Sequence, residues 1–192
     1  MDKDTSLLPP LLRKKNLAWH FVGDKLRDGR PVPADGVWLE HSGKLILCEE
    51  GLHFSRQPFD ALQYAPGPIL CLVEIGGEIV ENKGDNKGIC SRRKIIARMD
   101  AAELLRYFAR MEALSVIHLN EDLFNSEVVC DYLMTGDESL RDAAGAAARA
   151  AAWDAARAAA RDAARAAARA VAWDAARQHF NDLVRECFKD YL

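Results

Sequence analysis

ILCLVEIGGEIVE, residues 69–81, reads as the strongest strand of the chain. From Ile69 to Ile75 only Glu74 carries a charge, so both faces are largely apolar, which suits a central place in a sheet. Gly76-Gly77 then allows a bulge or a tight turn, and Glu78 to Glu81 continues as a further strand. A sheet is therefore the frame, and the segments on either side are read as its neighbours.

On the N-terminal side, Pro66-Gly67-Pro68 ends a short helix over Gln57 to Tyr64, which buries Phe59 and Leu62. Ser55 is placed to cap that helix, and Pro58 falls in its first turn, where a missing N–H costs nothing. Leu17 to Val22 is the first strand, with Trp19 and Phe21 on one face and His20 on the other. Arg27 to Gly36 is a loop, Val37–Glu40 and Lys44–Glu49 form a hairpin across His41-Ser42-Gly43, and Leu52 to Ser55 comes next. On the C-terminal side, Ile89 to Met99 carries Arg92, Arg93 and Lys94 into another strand. Asp100 with Glu103 opens a helix to about His118, with Leu104, Leu105, Phe108, Met111 and Leu114 as its apolar stripe. Asn120 opens a second helix that Gly136 closes. Thr135 and Glu138 are spaced as a capping box for a third helix.

From Asp137 the composition changes to alanine and arginine. Arg141, Gly145, Arg149, Trp153, Arg157, Arg161, Arg165, Arg169, Trp173 and Arg177 recur at steps of four. Alanine and arginine are strong helix formers, and Asp154, Asp162, Asp174 and Asp182 each precede an arginine by three residues. The pattern predicts one helix to about Tyr191, on the order of 80 Å long. A step of four winds the arginine row by about 40° each time on a 3.6-residue helix. A lone helix would leave Trp153, Trp173, Phe180, Leu183, Val184 and Phe188 uncovered, so these residues are assigned to a self-association surface. The competing reading is a repeat-expanded tract whose role is only to be helical. Nucleic-acid binding is disfavoured, because from Asp137 onward nine acids offset nine bases.

The chain thus divides into a tail over residues 1–15, an α+β domain over 16–136 and an arm over 137–192. The fold class is a small antiparallel sheet with covering helices, followed by the oligomerising helix. Leu7, Leu8, Leu11 and Leu12 make the tail either a docking peptide or a frayed end. A net charge of -3 argues against a general polyanion binder. Five cysteines, with no C-x-x-C spacing, point to reduced thiols in a cytoplasmic setting and to no zinc site. No stretch is apolar enough to suggest a membrane span. No metal or cofactor is expected: His20, His41, His53, His118 and His179 are scattered, and NKGDNKG lacks the phosphate-loop spacing.

WHFV, LRDGRPVPADG, CEEGLHFS, DALQYAPG, LVEIGGEIV, RRKII, LLRYFARMEAL and YLMTGDESLR, followed by the alanine-rich arm, resemble an uncharacterised family found in bacteriophage and prophage genomes. The resemblance implies a phage-encoded protein acting inside a bacterial cell, in a setting where small non-catalytic proteins sequester nucleotide-derived immune signals. A second resemblance is to ADP-ribosyltransferase-like folds. Gly51, Leu52, His53, Ser55, Tyr64, Ala65 and Gly67 carry it, with the strand Ile69 to Ile75. It implies a catalytic glutamate, for which Glu78 and Glu81 are the candidates.

Read on their own, His53 and Ser55 share one strand face and suit hydrogen bonds to a ribose or base, or else a helix cap and an edge residue. Arg92 and Lys94 share a face, with Arg93 turned away, and suit phosphate binding or a charge-guarded edge. The expected function is a non-catalytic homo-oligomer that sequesters a small anionic, nucleotide-like ligand. Its expected contacts are His53, Ser55, Tyr64, Arg92 and Lys94. The alternatives are the transferase-like enzyme and capture of a host protein by the arm.

Overall fold

The computed structural model describes residues 16–81, 86–158 and 165–192, with the side chains of residues 150–172 outside the description. The tail over residues 1–15 therefore lies outside the described residues, as does the side chain of Trp153. The chain divides into two compact units: one holds the sheet together with Arg177–Leu192, the other is Glu103–Ala176.

The sheet unit contains β1 (Leu17–Val22), β2 (Trp38–Glu40), β3 (Leu52–Phe54), a short helix α1 (Pro58–Leu62), β4 (Ile69–Glu81) and β5 (Gly88–Asp100). The strands run antiparallel in the order β1-β4-β5-β2, and β3 also pairs with β5. β4 and β5 are long enough to carry the others. Along one edge of β5, β3 pairs with Gly88 to Cys90 and β2 with Arg92 to Lys94. Trp19 and Ser55 exchange two backbone hydrogen bonds, of 2.8 and 2.9 Å. That bridge brings β3 back to β1, so β1, β4, β5 and β3 form a closed circuit.

Residues 69–81 form one strand, not two. The Gly76-Gly77 pair makes a bulge in it: Gly77 adopts φ +70°, and the register with β5 shifts between Gly76 and Ile79. The Glu78 N–H donates to Ser91 Oγ at 2.9 Å across the bulge. The expected hairpin over residues 37–49 does not form. β2 pairs with the open edge of β5, which satisfies its backbone groups, while Ile46 to Glu50 closes into a turn in which Cys48 takes φ +74°. Nor does Ser55 cap α1: its backbone is committed to Trp19, Gln57 is the N-cap residue, and Pro58 starts the helix as expected.

The end of the chain covers α1 and Trp19 of β1. Helix α6 (Arg165–Cys187) and the residue just beyond it place Phe180, Val184 and Phe188 in the core at steps of four, all three buried. The Phe188 ring meets Trp19 edge-on at 5.2 Å, and Phe180 meets Phe59 at 5.8 Å. Polar contacts fix the register. Asn181 Oδ1 accepts from the Phe59 N–H at 2.9 Å, Arg177 pairs with Asp60 at 2.6 Å, and Arg185 donates to Gln57 Oε1 at 2.6 Å. Phe180 and Phe188, expected at a subunit interface, are buried within the same chain, against Phe59 of α1 and Trp19 of β1. Leu183 is half-buried, and Trp173, 54% exposed, is the one aromatic of that set open to solvent among the described side chains.

The other unit is helical. α2 (Ala102–Val116) is capped by Asp100, whose Oδ1 accepts from the Ala102 N–H at 2.8 Å. Asn120 caps α3 (Glu121–Phe124), and α4 (Glu127–Thr135) ends at Gly136 with φ +71°. The expected single helix after Asn120 is thus two, divided at Asn125-Ser126. Asp137, not a Thr135–Glu138 box, caps the turn that leads into α5 (Arg141–Ala158). Ile117, Val129 and Ala144 form this unit's core. Of the expected continuous arm, α5 and α6 are described, and residues 159–164 between them lie outside the described residues. Among the described residues, no helix is long and apolar enough to cross a membrane.

Candidate functional site

The inner face of the strand circuit opens into a cleft of about 890 Å³. That is within the range of small-molecule sites. β1 contributes His20, β3 contributes His53, and β5 contributes Arg93. Tyr64, just past α1, and Lys87, just before β5, stand at the mouth, with the Lys87 ammonium 4.5 Å from the centre of the Tyr64 ring.

Arg93 is the unusual member. Antiparallel pairing sets it beside Ile75 on β4 and Leu39 on β2. It shares strand parity with the core residue Ile95, so alternation turns it inward. Only 6% of the residue is exposed. Its guanidinium donates to the His53 carbonyl oxygen. Among the described residues, no carboxylate pairs with it. The groups able to carry negative charge that act on it are the thiols of Cys71 and Cys90, and burial pushes both up to about 11, so they are neutral near pH 7. Burial also draws Arg93 down to about 10, which leaves it protonated. A buried cation without a counter-charge is costly, by several kcal/mol after relaxation. An anion in the cleft would remove that cost.

The two histidines beside it are neutral near pH 7. His20 is held well below its usual value, first by burial and then by Arg93 and His53. His53 is lowered by burial, then by Arg27, Arg93 and Lys87, with a hydrogen bond to the Gly51 backbone acting weakly the other way. The cleft's acidic residues do not reach Arg93. Asp28 is paired with Arg30 at 2.6 Å, and Glu49 and Glu50 belong to the turn before β3. Among the described residues, no group of three His, Cys, Asp or Glu gathers as a metal site.

His53, Ser55 and Tyr64 of the expected contacts line the cleft. Arg92 and Lys94 do not. They project from the opposite face of β5, each 4.6 Å from the centre of the Trp38 ring, and pair with Glu40 at 3.1 Å and Glu74 at 2.8 Å. Arg93 and His20, not among the expected contacts, do line it. Glu78 and Glu81 are also outside the cleft, and Glu81 pairs with Arg56 at 2.8 Å. No curated protein and no solved structure matches the chain. Residues 17–107, which span every strand and the whole cleft wall, match a family model described as a domain of unknown function (DUF7666), and that is what this part of the chain is similar to.

Proposed function

We propose that the protein is a non-catalytic binding protein that holds a small anionic, nucleotide-like ligand in this cleft and so removes it from solution. The observation that carries the reading is Arg93, a buried guanidinium facing a ligand-sized cavity with no carboxylate to balance it among the described residues. An anion would engage the remaining N–H groups of its fork. Tyr64, 51% exposed at the mouth, offers a flat ring for a base. Phage origin and sequestration of a host signal are the setting that the sequence resemblance suggests for such a binder. Self-association through the alanine-rich helices belongs to the same reading, with exposed Trp173 as its anchor.

Native mass spectrometry of the full chain purified from bacteria tests it. A retained mass of a few hundred daltons, lost in Arg93→Met and released intact on denaturation, supports the reading. Arg93→Lys, which keeps the charge, guards against a folding artefact and should retain part of the adduct. No adduct in the native chain, together with no binding of added nucleotides by calorimetry, overturns it.

A further inference from the structure

Arg93, His20 and His53 line the same cleft, close enough that the charge of Arg93 acts on both rings. Arg93 spends one N–H on the His53 carbonyl. A guanidinium has five N–H donors, so several remain for a ligand. Burial is the main influence that keeps protons off both rings, and the fixed positive charge of Arg93 adds a repulsion to it. An anion against Arg93 removes that repulsion for both rings at once.

On the reading of this cleft as a small-anion site, we propose that the anionic end of the ligand is a phosphate monoester, taken up together with one proton that is shared between the phosphate and His20 or His53. A monoester carries close to two negative charges near pH 7.4, its second ionisation lying near 6. One guanidinium balances only one of them, and an unbalanced charge in a buried site is costly. A proton supplies the balance. A phosphodiester, with one charge, is already balanced by Arg93 and needs none.

The other charged groups of the cleft leave this arithmetic intact at Arg93. Asp28 and Arg30 cancel each other in their ion pair. Cys71 and Cys90 are neutral thiols. Arg27, whose Nη1 donates to the Cys48 carbonyl at 3.3 Å, and Lys87, over Tyr64, act on His53 from the outer wall. Lys25, Glu49 and Glu50 line the cleft as well, and His41 sits with Nε2 3.3 Å from the Lys44 carbonyl oxygen. A phosphate seated among Arg27, Lys25 and Lys87 would be balanced without a proton, so proton uptake distinguishes a seat at Arg93 from that one.

The test is calorimetric titration of the full chain in buffers of different ionisation enthalpy, with adenosine 5′-monophosphate, 3′,5′-cyclic adenosine monophosphate and inorganic phosphate as probes. The expected result at pH 7.4 is uptake of close to one proton per bound 5′-monophosphate and close to none for the cyclic diester. Affinity for the monoester should weaken about tenfold per pH unit between roughly pH 6.5 and 8. A variant carrying both His20→Asn and His53→Asn should bind the monoester more weakly at pH 7.4 and lose the uptake. Monoester binding with no proton uptake, or uptake that persists in the double variant, overturns this inference and leaves the anion-site reading standing. No binding of any of the three probes overturns both.

Discussion

At the scale of single residues, His20 and His53 set how the fold responds to acid. Both hold their protons less tightly than the usual value of 6.5. In the unfolded chain they protonate near that pH, whereas in the fold they do so only at lower pH. Across that window the unfolded state binds more protons, so stability rises with pH and falls on acidification. Their contribution is fully present above about pH 6.5 and is lost progressively as pH falls through the folded-state values. Melting temperature should therefore be flat from about pH 8 to 7 and decline below about 6.5, and His20→Gln should reduce the slope. The carboxylates with lowered proton affinity, such as Asp28, titrate further down and do not blur this window. A melting temperature unchanged down to about pH 5 would contradict the account. At this same scale the sequence was legible in part. His53, Ser55 and Tyr64 were placed together because they lie close along the chain. Arg92 and Lys94 share a strand face that excludes Arg93, and three consecutive bases do not say which face looks inward. Ile95 favours the face of Arg93, but Ile96 favours that of Arg92 and Lys94 equally, so the run is ambiguous until its pairing is known.

Elements explain more of the fold than residues do, because β4 and α6 are each recognisable by pattern. The β4 run declared itself by composition, and its glycine pair announced an irregularity whose nature only the pairing with β5 decides. Gly77 sits at φ +70° with the Ser91 side chain against it. Gly77→Ala should cost about 1–3 kcal/mol in urea unfolding, from backbone strain together with that clash. α6 was legible as a helix, and its apolar positions were legible as needing cover. What covers them was not, because Phe59 lies more than a hundred residues earlier in the chain, and sequence spacing carries no signal over that distance. Phe180 is fully buried against that partner. Phe180→Ala should therefore lower unfolding free energy by about 3–5 kcal/mol, a large share of the total for a domain of this kind. A loss below about 1 kcal/mol would mean that the helix end is only loosely held.

Over the whole molecule, the sheet unit is assembled from two separated stretches, with Glu103–Ala176 running between them. The expected boundary at 136 marks a change of composition, whereas the compact units are defined by contacts. Residues 17–107 hold all five strands yet lack the helix that covers Trp19 and Phe59. A chain ending at Ala176 would leave those side chains uncovered. It should bind a hydrophobic dye and show no cooperative melt for the sheet, while the full chain melts in a sharp transition. A cooperative melt of the shortened chain at the full chain's temperature would show that α6 is dispensable.

The hydrogen bond from Phe59 to Asn181 spans 122 residues of sequence. Synthesis is vectorial, so β1 to β5 leave the ribosome well before the helix that seals them. At roughly 5–20 residues per second the wait is several seconds or more. For that interval the nascent sheet presents an oily flank to the cell, a natural landing place for a chaperone. Ribosomes that stall within the alanine codons would strand every copy in that unsealed condition, so translation speed through the repeat bears directly on how much finished protein a cell obtains.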